Sequence, residues 1–361
     1  MTIQIYSIGD IKQDLMNVGR LFDPSDTLGG INSRHINALE ERFFKKTGRK
    51  CVFVDSCTNG IYLTLKKLRV KGRHIIIPPI TFFGIASAVI KAGGIPLYSR
   101  VDKYGLMDIS SIYELVATYN VAAIIPAHIN NRYVPTERIT DLDKTIIEDA
   151  APAFGATRVD GSCVLSSTRN ASVISFSYGK PLTAGEGGMI FTDDNDEDWY
   201  RGQRYSGLSN VDGKYGYGAF DVTEPELKMA NTGLNAALIM TKMRSFNVNL
   251  LRAKEIASHY HNTFGSFHDG ELNPLGNNQT YVMLTDRRKE VMTALEENDI
   301  KSYISHRPVY MCQAFEGFNG AFDYKETCRR YFSKILHIPC RSDLTDEQIE
   351  LISTVVKGAL Q

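Results

Sequence analysis

Lys180 is the first residue whose place in the sequence suggests a chemical role. It stands in the stretch "VISFSYGKPLTAGEGGMIF", between two apolar runs at 173–177 and 189–191, and four glycines surround it. The runs predict two strands, and the glycines predict turns between them. One interpretation is a hairpin tip with a solvated lysine. The other is a lysine nucleophile held in a cleft, and only the rest of the chain can separate the two.

The segment "DSCTNGIYLTL" places small polar residues between a predicted strand and a predicted helix. Free backbone N–H groups at the start of a helix, together with the Thr58 hydroxyl, can bind a phosphate. A plain helix cap is the alternative interpretation. The sequence contains neither a Walker motif nor GxGxxG, so this segment is the candidate phosphate site.

Two acids end the apolar strand predicted in "TIIEDAAPAFG". A carboxylate at such a position requires a cationic partner or several N–H donors. Glu148 could be a solvated loop residue, whereas Asp149, followed by two alanines, is typical of a charge received in a close-packed cleft. Phe82, which follows Thr81, is either a core residue or an aromatic plate beside a ligand.

A phosphate cradle, an aromatic plate, a cleft carboxylate and a single lysine together match the needs of pyridoxal 5'-phosphate (PLP). The carboxylate of Asp149 would keep the pyridine nitrogen protonated. Lys180 would hold the cofactor and, once the amino donor has displaced it, move a proton between the substrate carbon and the cofactor carbon.

A mainly parallel β-sheet would bring these residues together. From Cys51 to about Asp193, apolar runs of strand length alternate with helical patterns, which predicts an α/β fold with helices on both faces. Such sheets bind ligands at the carboxyl ends of their strands. Thr58, Phe82, His128 and the two acids all fall at predicted strand ends.

The C-terminal part has a different pattern. A helical pattern runs from about 235 to 260, and "TYVMLTD", "RKEVMTALEENDI", "SYISHRP" and "TDEQIELISTVVKGAL" follow it. The stretch "LSNVDGKYGYGAFDVTEP" before them is interpreted as a long excursion. We therefore predict an N-terminal segment with a large domain at 1–240 and a smaller α+β domain at 241–361. No linker separates them, so we expect close packing.

Composition disfavours several function classes. The 361 residues are 43% hydrophobic and 23% charged, as in an ordinary globular protein. The 41 Lys and Arg residues balance 41 Asp and Glu residues, which argues against binding to nucleic acid or to an anionic membrane. Six cysteines without a CxxC pair argue against a zinc site, and no metal is expected. The absence of a signal-peptide pattern predicts a cytoplasmic protein.

The sequence resembles the DegT/DnrJ/EryC1/StrS family of sugar aminotransferases, which are PLP-dependent enzymes of fold type I. The resemblance covers nearly the whole chain. It is most specific in "FSYGKPLTAGEGG", which is similar to the family's Ser-Phe-x-x-x-Lys followed by x-Ile/Leu/Tyr-Thr-x-Gly-Glu-Gly-Gly. The segments "DSCTNG", "PPITFFGIASAVIKAGGIPLY", "IIEDAAPAFGA" and "RRYFSKILHIPCRSDLTDEQIELI" support it.

The resemblance implies a role for each site residue. Lys180 would form the Schiff base with PLP, Asp149 would pair with the pyridine nitrogen, and Phe82 would stack on the ring. The phosphate would be bound by Ser175, Thr58 and the Asn59 amide, with Cys57 in the same turn and Lys228 from a neighbouring subunit. The residues expected to contact the substrate are His128, Glu186 and His306.

Three positions depart from the family pattern. The family's Gln three residues after the aspartate is Pro152 here, which has no donor for the ring hydroxyl. The family's "GYNYRM" segment appears as "ELKMAN", which aligns Lys228 with the Asn that reaches the phosphate of the neighbouring subunit. The glycine of the family's Ser-Gly-Thr turn is Cys57, which tolerates less backbone strain.

The resemblance implies a homodimer with shared active sites. The enzyme would move an amino group from L-glutamate, through pyridoxamine phosphate (PMP), to a nucleotide-linked keto sugar for a surface polysaccharide such as O-antigen. A 4-keto-6-deoxyhexose on dTDP or another nucleotide is the expected acceptor, with a 3-keto sugar as the alternative. The changes at Pro152 and Lys228 leave open a binding protein without turnover. A dehydratase of this fold carries His at the lysine position, so Lys180 argues against it.

Overall fold

A seven-stranded sheet forms the centre of the molecule. The computed structural model describes residues 2–6, 11–28, 30, 33–166, 171–192, 196–209 and 221–361. The strands are β1 (Lys50–Val54), β2 (His74–Ile77), β3 (Ile95–Tyr98), β4 (Val121–Ile124), β5 (Thr145–Asp149), β6 (Ala171–Ser175) and β7 (Gly188–Thr192). Their order is β1-β7-β6-β5-β4-β2-β3. Only β7 runs antiparallel to its two neighbours, so six of the seven strands share one direction.

Helices and two smaller sheets complete the described chain. The helices are α1 (Ile11–Gly19), α2 (Arg34–Thr47), α3 (Cys57–Lys67), α4 (Gly84–Lys91), α5 (Ile109–Thr118), α6 (Glu197–Arg204), α7 (Gly233–Lys242), α8 (Phe246–Phe264), α9 (Arg288–Glu297), α10 (Tyr324–Lys334) and α11 (Asp346–Leu360). Strands β8 (Leu208–Ser209) and β9 (Asp221–Val222) pair with each other, as do β10 (Thr280–Leu284) and β11 (Ile335–Pro339). The predicted excursion therefore includes β8 and β9, and its residues 210–220 lie outside the described residues.

Both faces of the large sheet are buried, as the near-continuous apolar strands predicted. On β1, Val52 and Val54 belong to the core beneath α3 and α4, while Cys51 and Phe53 belong to the opposite core beneath α2 and α7. Successive strand side chains point to opposite faces, so a strand covered by helices on both sides must be apolar throughout. The predicted α/β class with a mainly parallel sheet is confirmed.

The C-terminal elements form a second, smaller core. Strands β10 and β11 pack with α8, α9 and α11, and Ile3 from the start of the chain joins this core. The segment from Val309 to Ile335 instead shares the core of the large sheet, through residues such as Phe315 and Tyr324. The two parts therefore pack closely, as predicted, and the boundary at 240/241 stays a prediction.

The helical pattern predicted from about 235 to 260 is confirmed in part, because the chain forms two helices there, α7 and α8, with a break at 243–245. After the break, Phe246 packs against Phe154 with ring centroids 4.6 Å apart, so the second helix begins at a residue of the core. In the described part of the chain, no helix combines the length and the apolar character that a membrane crossing would need.

Candidate active site

Lys180 and Asp149 lie in one buried site at the carboxyl edge of the large sheet. Asp149 ends β5, and Lys180 lies in the connection between β6 and β7. Burial raises the pKa of the Asp149 carboxyl, against the opposing effects of the Ala151 N–H and the charge of Lys180. Burial likewise lowers the pKa of Lys180, against the charges of Asp149 and Cys57. The charge of each group thus partly compensates the burial of the other, and the lysine is more readily neutral than usual.

Hydrogen bonds hold the connection that carries Lys180. Its backbone N–H donates to Ser177 O at 3.2 Å, and the Ala184 N–H donates to Phe176 O at 2.9 Å. Gly179 has a φ of 82°, and a Cβ there would come within 2.9 Å of the Tyr6 ring. The lysine is only partly exposed, so its environment is a cleft wall rather than a solvated hairpin tip.

The predicted phosphate turn is a capped helix start with donors still available. The Ser56 side chain caps α3 by accepting from the Asn59 N–H at 3.2 Å. The Asn59 side chain donates to both oxygens of Asp55 at 2.9 Å. The backbone and side-chain N–H groups of Asn59 are thus both engaged within the chain, so the amide expected to bind the phosphate already has a partner. The Thr58 hydroxyl and the Ser175 hydroxyl, which shares a hydrogen bond with Ser177 Oγ, are closest to the expected role.

Two glycines, Gly84 and Gly188, pack tightly against this turn. A Cβ on Gly84 would meet the Thr58 hydroxyl at 2.5 Å and the Phe82 ring at 2.8 Å, so these two side chains adjoin one backbone position. Gly188 lies opposite Ser175 in the β6–β7 register. A Cβ on Gly188 would meet the backbone between Ser56 and Cys57 at 2.4 Å. The turn and the β6–β7 connection are therefore in direct contact.

Gly188→Ala is expected to disturb the site as well as the fold. The added methyl must displace backbone of the phosphate turn, because no flexible side chain lies in its way. We expect a loss of about 1–3 kcal/mol in unfolding free energy and weaker cofactor retention on gel filtration. Gly358→Ala is the control: it lies in α11 with open space around it, and should be neutral or stabilising by up to about 1 kcal/mol. Unchanged stability and retention in Gly188→Ala would contradict this packing.

Phe82 is 48% exposed, so it is not part of the core. Its ring centroid lies 4.3 Å from that of Phe83. Thr81, directly before it, is buried, and its hydroxyl is without a partner among the described residues. An exposed aromatic face beside the phosphate turn is available to a planar ligand.

Cys57 and His128 support Asp149 from behind. The Cys57 thiol lies 3.6 Å from Asp149 Oδ1, and the His128 backbone N–H donates to Asp149 O at 2.9 Å. The His128 ring is buried, with Nδ1 accepting from the Val134 N–H at 3.1 Å and Nε2 3.9 Å from Glu148 Oε1. The structure therefore turns this imidazole toward Glu148 and away from solvent.

Glu148 belongs to a separate buried network. Its carboxylate accepts from Arg158 Nη2 at 2.8 Å, from Thr136 Oγ1 at 2.7 Å and from Ser172 Oγ at 3.1 Å. Burial alone would raise its pKa, but His128, Arg158 and Thr136 outweigh burial and lower the pKa of Glu148 to about 2. The two adjacent acids thus have opposite environments. Both oxygens of Glu148 accept hydrogen bonds and its pKa is lowered, whereas burial raises the pKa of Asp149, whose charged form would be stabilised by a cationic partner.

Of the predicted substrate contacts, His306 lies near Lys180. Burial, with the charge of Lys180 as a second cause, lowers the pKa of His306 to about 4. Glu186 and Lys228 are exposed. Asn231, three residues after Lys228, is buried and donates to Val54 O at 3.1 Å. The roles assigned to Glu186 and Lys228 stay predictions.

Sequence reasoning missed Tyr6 and Asn277. The Tyr6 ring contacts Gly179 and lies 5.8 Å from the Tyr303 ring. The Asn277 side chain donates to Pro152 O at 2.5 Å and Phe154 O at 3.1 Å. Asn277 therefore fixes the loop where the family has Gln. Neither residue stands in a motif, and each is more than 120 positions from its partner, so the sequence offered no signal for them.

The residues fit PLP. Asp149 is a buried carboxylate that burial disfavours in its charged form, and a protonated pyridine nitrogen would supply the missing partner. The Thr58 hydroxyl and the Phe82 ring meet at Gly84, where a phosphate and a ring face can be received. Lys180 is the adjacent amine. Asp149, Thr58, Phe82 and Lys180 are thus the residues that would hold the group.

Comparisons with known proteins identify the family of this chain. A model of the DegT/DnrJ/EryC1/StrS aminotransferase family matches residues 25–357. The spore coat polysaccharide biosynthesis protein SpsC of Bacillus subtilis (strain 168) is 27% identical over 356 residues, which cover 90% of each chain.

Solved structures share the fold. The Helicobacter pylori aminotransferase PseC, involved in the biosynthesis of pseudoaminic acid, has a TM-score of 0.85 at 18% identity and covers 100% of this chain and 99% of its own. The sugar aminotransferase Spr1654 from Streptococcus pneumoniae in its PLP form has a TM-score of 0.87 at 20% identity, with coverage of 100% and 99%. Its PMP form matches with the same TM-score. These likenesses establish fold type I, and the family match establishes more: this chain belongs to the DegT/DnrJ/EryC1/StrS aminotransferase family and is a PLP-dependent sugar aminotransferase.

Proposed function

We propose that this enzyme transfers the amino group of L-glutamate to a nucleotide-linked keto sugar. A 4-keto-6-deoxyhexose is the preferred acceptor, and a 3-keto sugar is the alternative. The observation that carries amino transfer is the buried pair of Lys180 and Asp149. The names of SpsC and PseC, which refer to polysaccharide and pseudoaminic acid biosynthesis, support a product used in a surface glycan such as O-antigen. The cytoplasmic location remains a prediction.

Lys180 would act as both nucleophile and base. Because burial lowers its pKa, a larger fraction of the amine is neutral near pH 7 than in an exposed lysine. When bound, PLP supplies the electron sink that makes the α proton of an amino donor removable. Lys180 would accept that proton and return it to the neighbouring carbon.

Asp149 and His306 would set the charge of the cleft. Asp149 would hold the proton on the pyridine nitrogen, because a buried carboxylate gains from a cationic partner. The lowered pKa of His306 keeps its imidazole neutral at pH 7, so it adds no second cation beside Lys180. It can then offer the substrate one donor and one acceptor.

The two half-reactions test this function separately. PLP-loaded enzyme is mixed with L-glutamate, and the cofactor absorbance reports conversion to the PMP form, with D-glutamate as the control. The PMP form is then offered keto sugars with and without a nucleotide, and mass spectrometry detects the amino sugar. Failure of every amino donor would contradict amino transfer. Equal rates with free and nucleotide-linked sugars would contradict the nucleotide requirement alone.

We further propose a homodimer in which Lys228 binds the phosphate of the partner's cofactor. Its alignment with the family's interface Asn and its exposed position in this chain support this. In a two-fold dimer, whatever one subunit lends to its partner it also receives. Lys228→Glu would then weaken cofactor retention, because a carboxylate would face a phosphate.

Mixed dimers are expected to recover activity. In a dimer of one Lys180→Ala chain and one Lys228→Glu chain, one site carries both lesions, while the other combines an intact Lys180 with an intact Lys228. Co-expression with two affinity tags isolates this species, and turnover should approach one working site per dimer. If Lys228→Glu is impaired and the mixed dimers stay as inactive as their parents, the shared site does not exist.

A further inference from the structure

Tyr6 lies between the turn at 178–180, which carries Lys180, and the C-terminal core. Its ring packs on Gly179, where a Cβ would come within 2.9 Å of it, and meets the Tyr178 ring edge to face with centroids 5.9 Å apart. These are the two residues directly before Lys180. Tyr6 and Lys180 also line one cavity of about 280 Å³, so the tyrosine forms part of the wall beside the lysine.

The segment that carries Tyr6 is fixed to the C-terminal core. Ile3 is buried in that core and pairs with Ile300 in a parallel bridge. The Gln4 carbonyl accepts a hydrogen bond from Arg341 Nε at 3.0 Å. The backbone just before Tyr6 is therefore held by the C-terminal core.

The Tyr6 ring has aromatic neighbours on the core side as well. Its centroid lies 5.8 Å from that of Tyr303, and the Tyr303 ring stacks on His337 of β11 with centroids 4.4 Å apart. His337 Nδ1 lies 2.8 Å from the Thr280 hydroxyl of β10. Burial raises the pKa of Tyr6, and a hydrogen bond with the Tyr303 side chain opposes this. Packed rings thus extend from β11 to the turn that carries Lys180.

This packing bears on the environment of the lysine. Burial is the main reason why the pKa of Lys180 is lowered, and the titratable groups that face its amine are Asp149, Cys57 and His306. A substitution at Tyr6 leaves these three groups unchanged. It would instead open the wall beside Lys180, admit water and weaken the effect of burial.

We propose that Tyr6 is a positioning residue for Lys180. Its ring fixes the turn at 178–180 against the C-terminal core and keeps water from the lysine side chain. Gly179, with a φ of 82°, is conformationally permissive, so the turn depends on this outside contact. The inference goes beyond the proposed function, although it rests on the role given there to Lys180. It assigns the N-terminal segment a part in the reaction.

Trace labelling of the Lys180 amine tests this placement. The full-length enzyme is loaded with PMP, which leaves that amine free, and is labelled with acetic anhydride over a range of pH. Mass spectrometry gives the midpoint of labelling, with the exposed Lys91 as the internal standard. In Tyr6→Ala we expect the Lys180 midpoint to move to higher pH, toward that of Lys91, because water would reach the amine. Tyr6→Phe keeps the ring and should keep the midpoint of the parent.

Turnover and two further variants make the result specific. In Tyr6→Ala both half-reactions should slow by at least about tenfold, because both use Lys180 and a small displacement of a reacting group is costly. Val356→Ala is the control, since Val356 is a buried residue of the C-terminal core. It should lower thermal stability and leave the Lys180 midpoint unchanged. Tyr6→Leu keeps apolar volume but cannot lie flat on Gly179, so it should shift the midpoint in the same direction if the alanine variant does not fold.

The outcomes separate this inference from the proposed function. An unchanged midpoint in folded Tyr6→Ala or Tyr6→Leu would overturn the positioning role and leave amino transfer standing. A parent midpoint equal to that of Lys91 would also overturn it, because there would be no buried environment to maintain. An equal shift in Val356→Ala would show that any loss of stability moves Lys180, and would overturn a specific role of Tyr6. Failure of amino transfer in the parent would refute the proposed function, while the labelling result would still decide the role of Tyr6.

Discussion

Lys180→Ala is expected to lower turnover by at least about 10³-fold without unfolding the protein. The variant loses the nucleophile and the base together, and general-base catalysis alone contributes about 10²–10⁴. Stability should hold because burial disfavours the ammonium group, as its lowered pKa shows. Turnover is measured by mass spectrometry of the amino sugar, and thermal unfolding checks the fold.

Two comparisons make this result specific. Lys91→Ala removes an exposed lysine at the end of α4 and should leave turnover within about twofold, as surface substitutions usually do. Methylamine added to the Lys180→Ala enzyme should restore part of the rate, because a small amine can enter the vacated space and accept the proton. A Lys180→Ala variant with more than a tenth of the parent rate would show that another group is the base.

The strands of the large sheet could be predicted because each one corresponds to a short apolar run in the sequence. Apolar runs such as "KCVFVDS" and "KTIIEDAA" become β1 and β5, since a strand buried on both faces admits few polar residues. Lys180 and Asp149 were found from their positions at strand ends. Both faces of β1 confirm the same reasoning, because alternate residues enter different cores.

Features that depend on long-range packing were not predictable. The local sequence does not predict that the N–H groups of Asn59 donate to Ser56 and Asp55, because a helix cap and a phosphate site use the same residue types. The contact of Tyr6 with Gly179 joins positions that only the folded chain brings together.

Asp149→Asn is expected to reduce turnover about 100-fold while the protein keeps its fold and its cofactor. Asparagine can retain the acceptor that receives the Ala151 N–H at 2.9 Å, so the local backbone should stay in place. A neutral amide cannot hold a proton on the pyridine nitrogen. A 100-fold loss in rate corresponds to about 2.7 kcal/mol of transition-state stabilisation. Rates of both half-reactions and the cofactor content of the purified variant measure the effect.

Glu148→Gln is the matched control, because it makes the same chemical change one residue earlier. It leaves Arg158 without its buried anion, so we expect a stability loss of about 3 kcal/mol and nearly normal turnover per folded molecule. The pKa of Glu148 is lowered to about 2, so its contribution is complete above about pH 4.5 and is lost as the pH falls toward 2. The stability gap between parent and Glu148→Gln should therefore narrow below pH 4.5. If Glu148→Gln lost turnover while Asp149→Asn kept it, the assignment of the two acids would be reversed. Glu148, although it already binds Arg158, Thr136 and Ser172, would then be the acid that interacts with the cofactor.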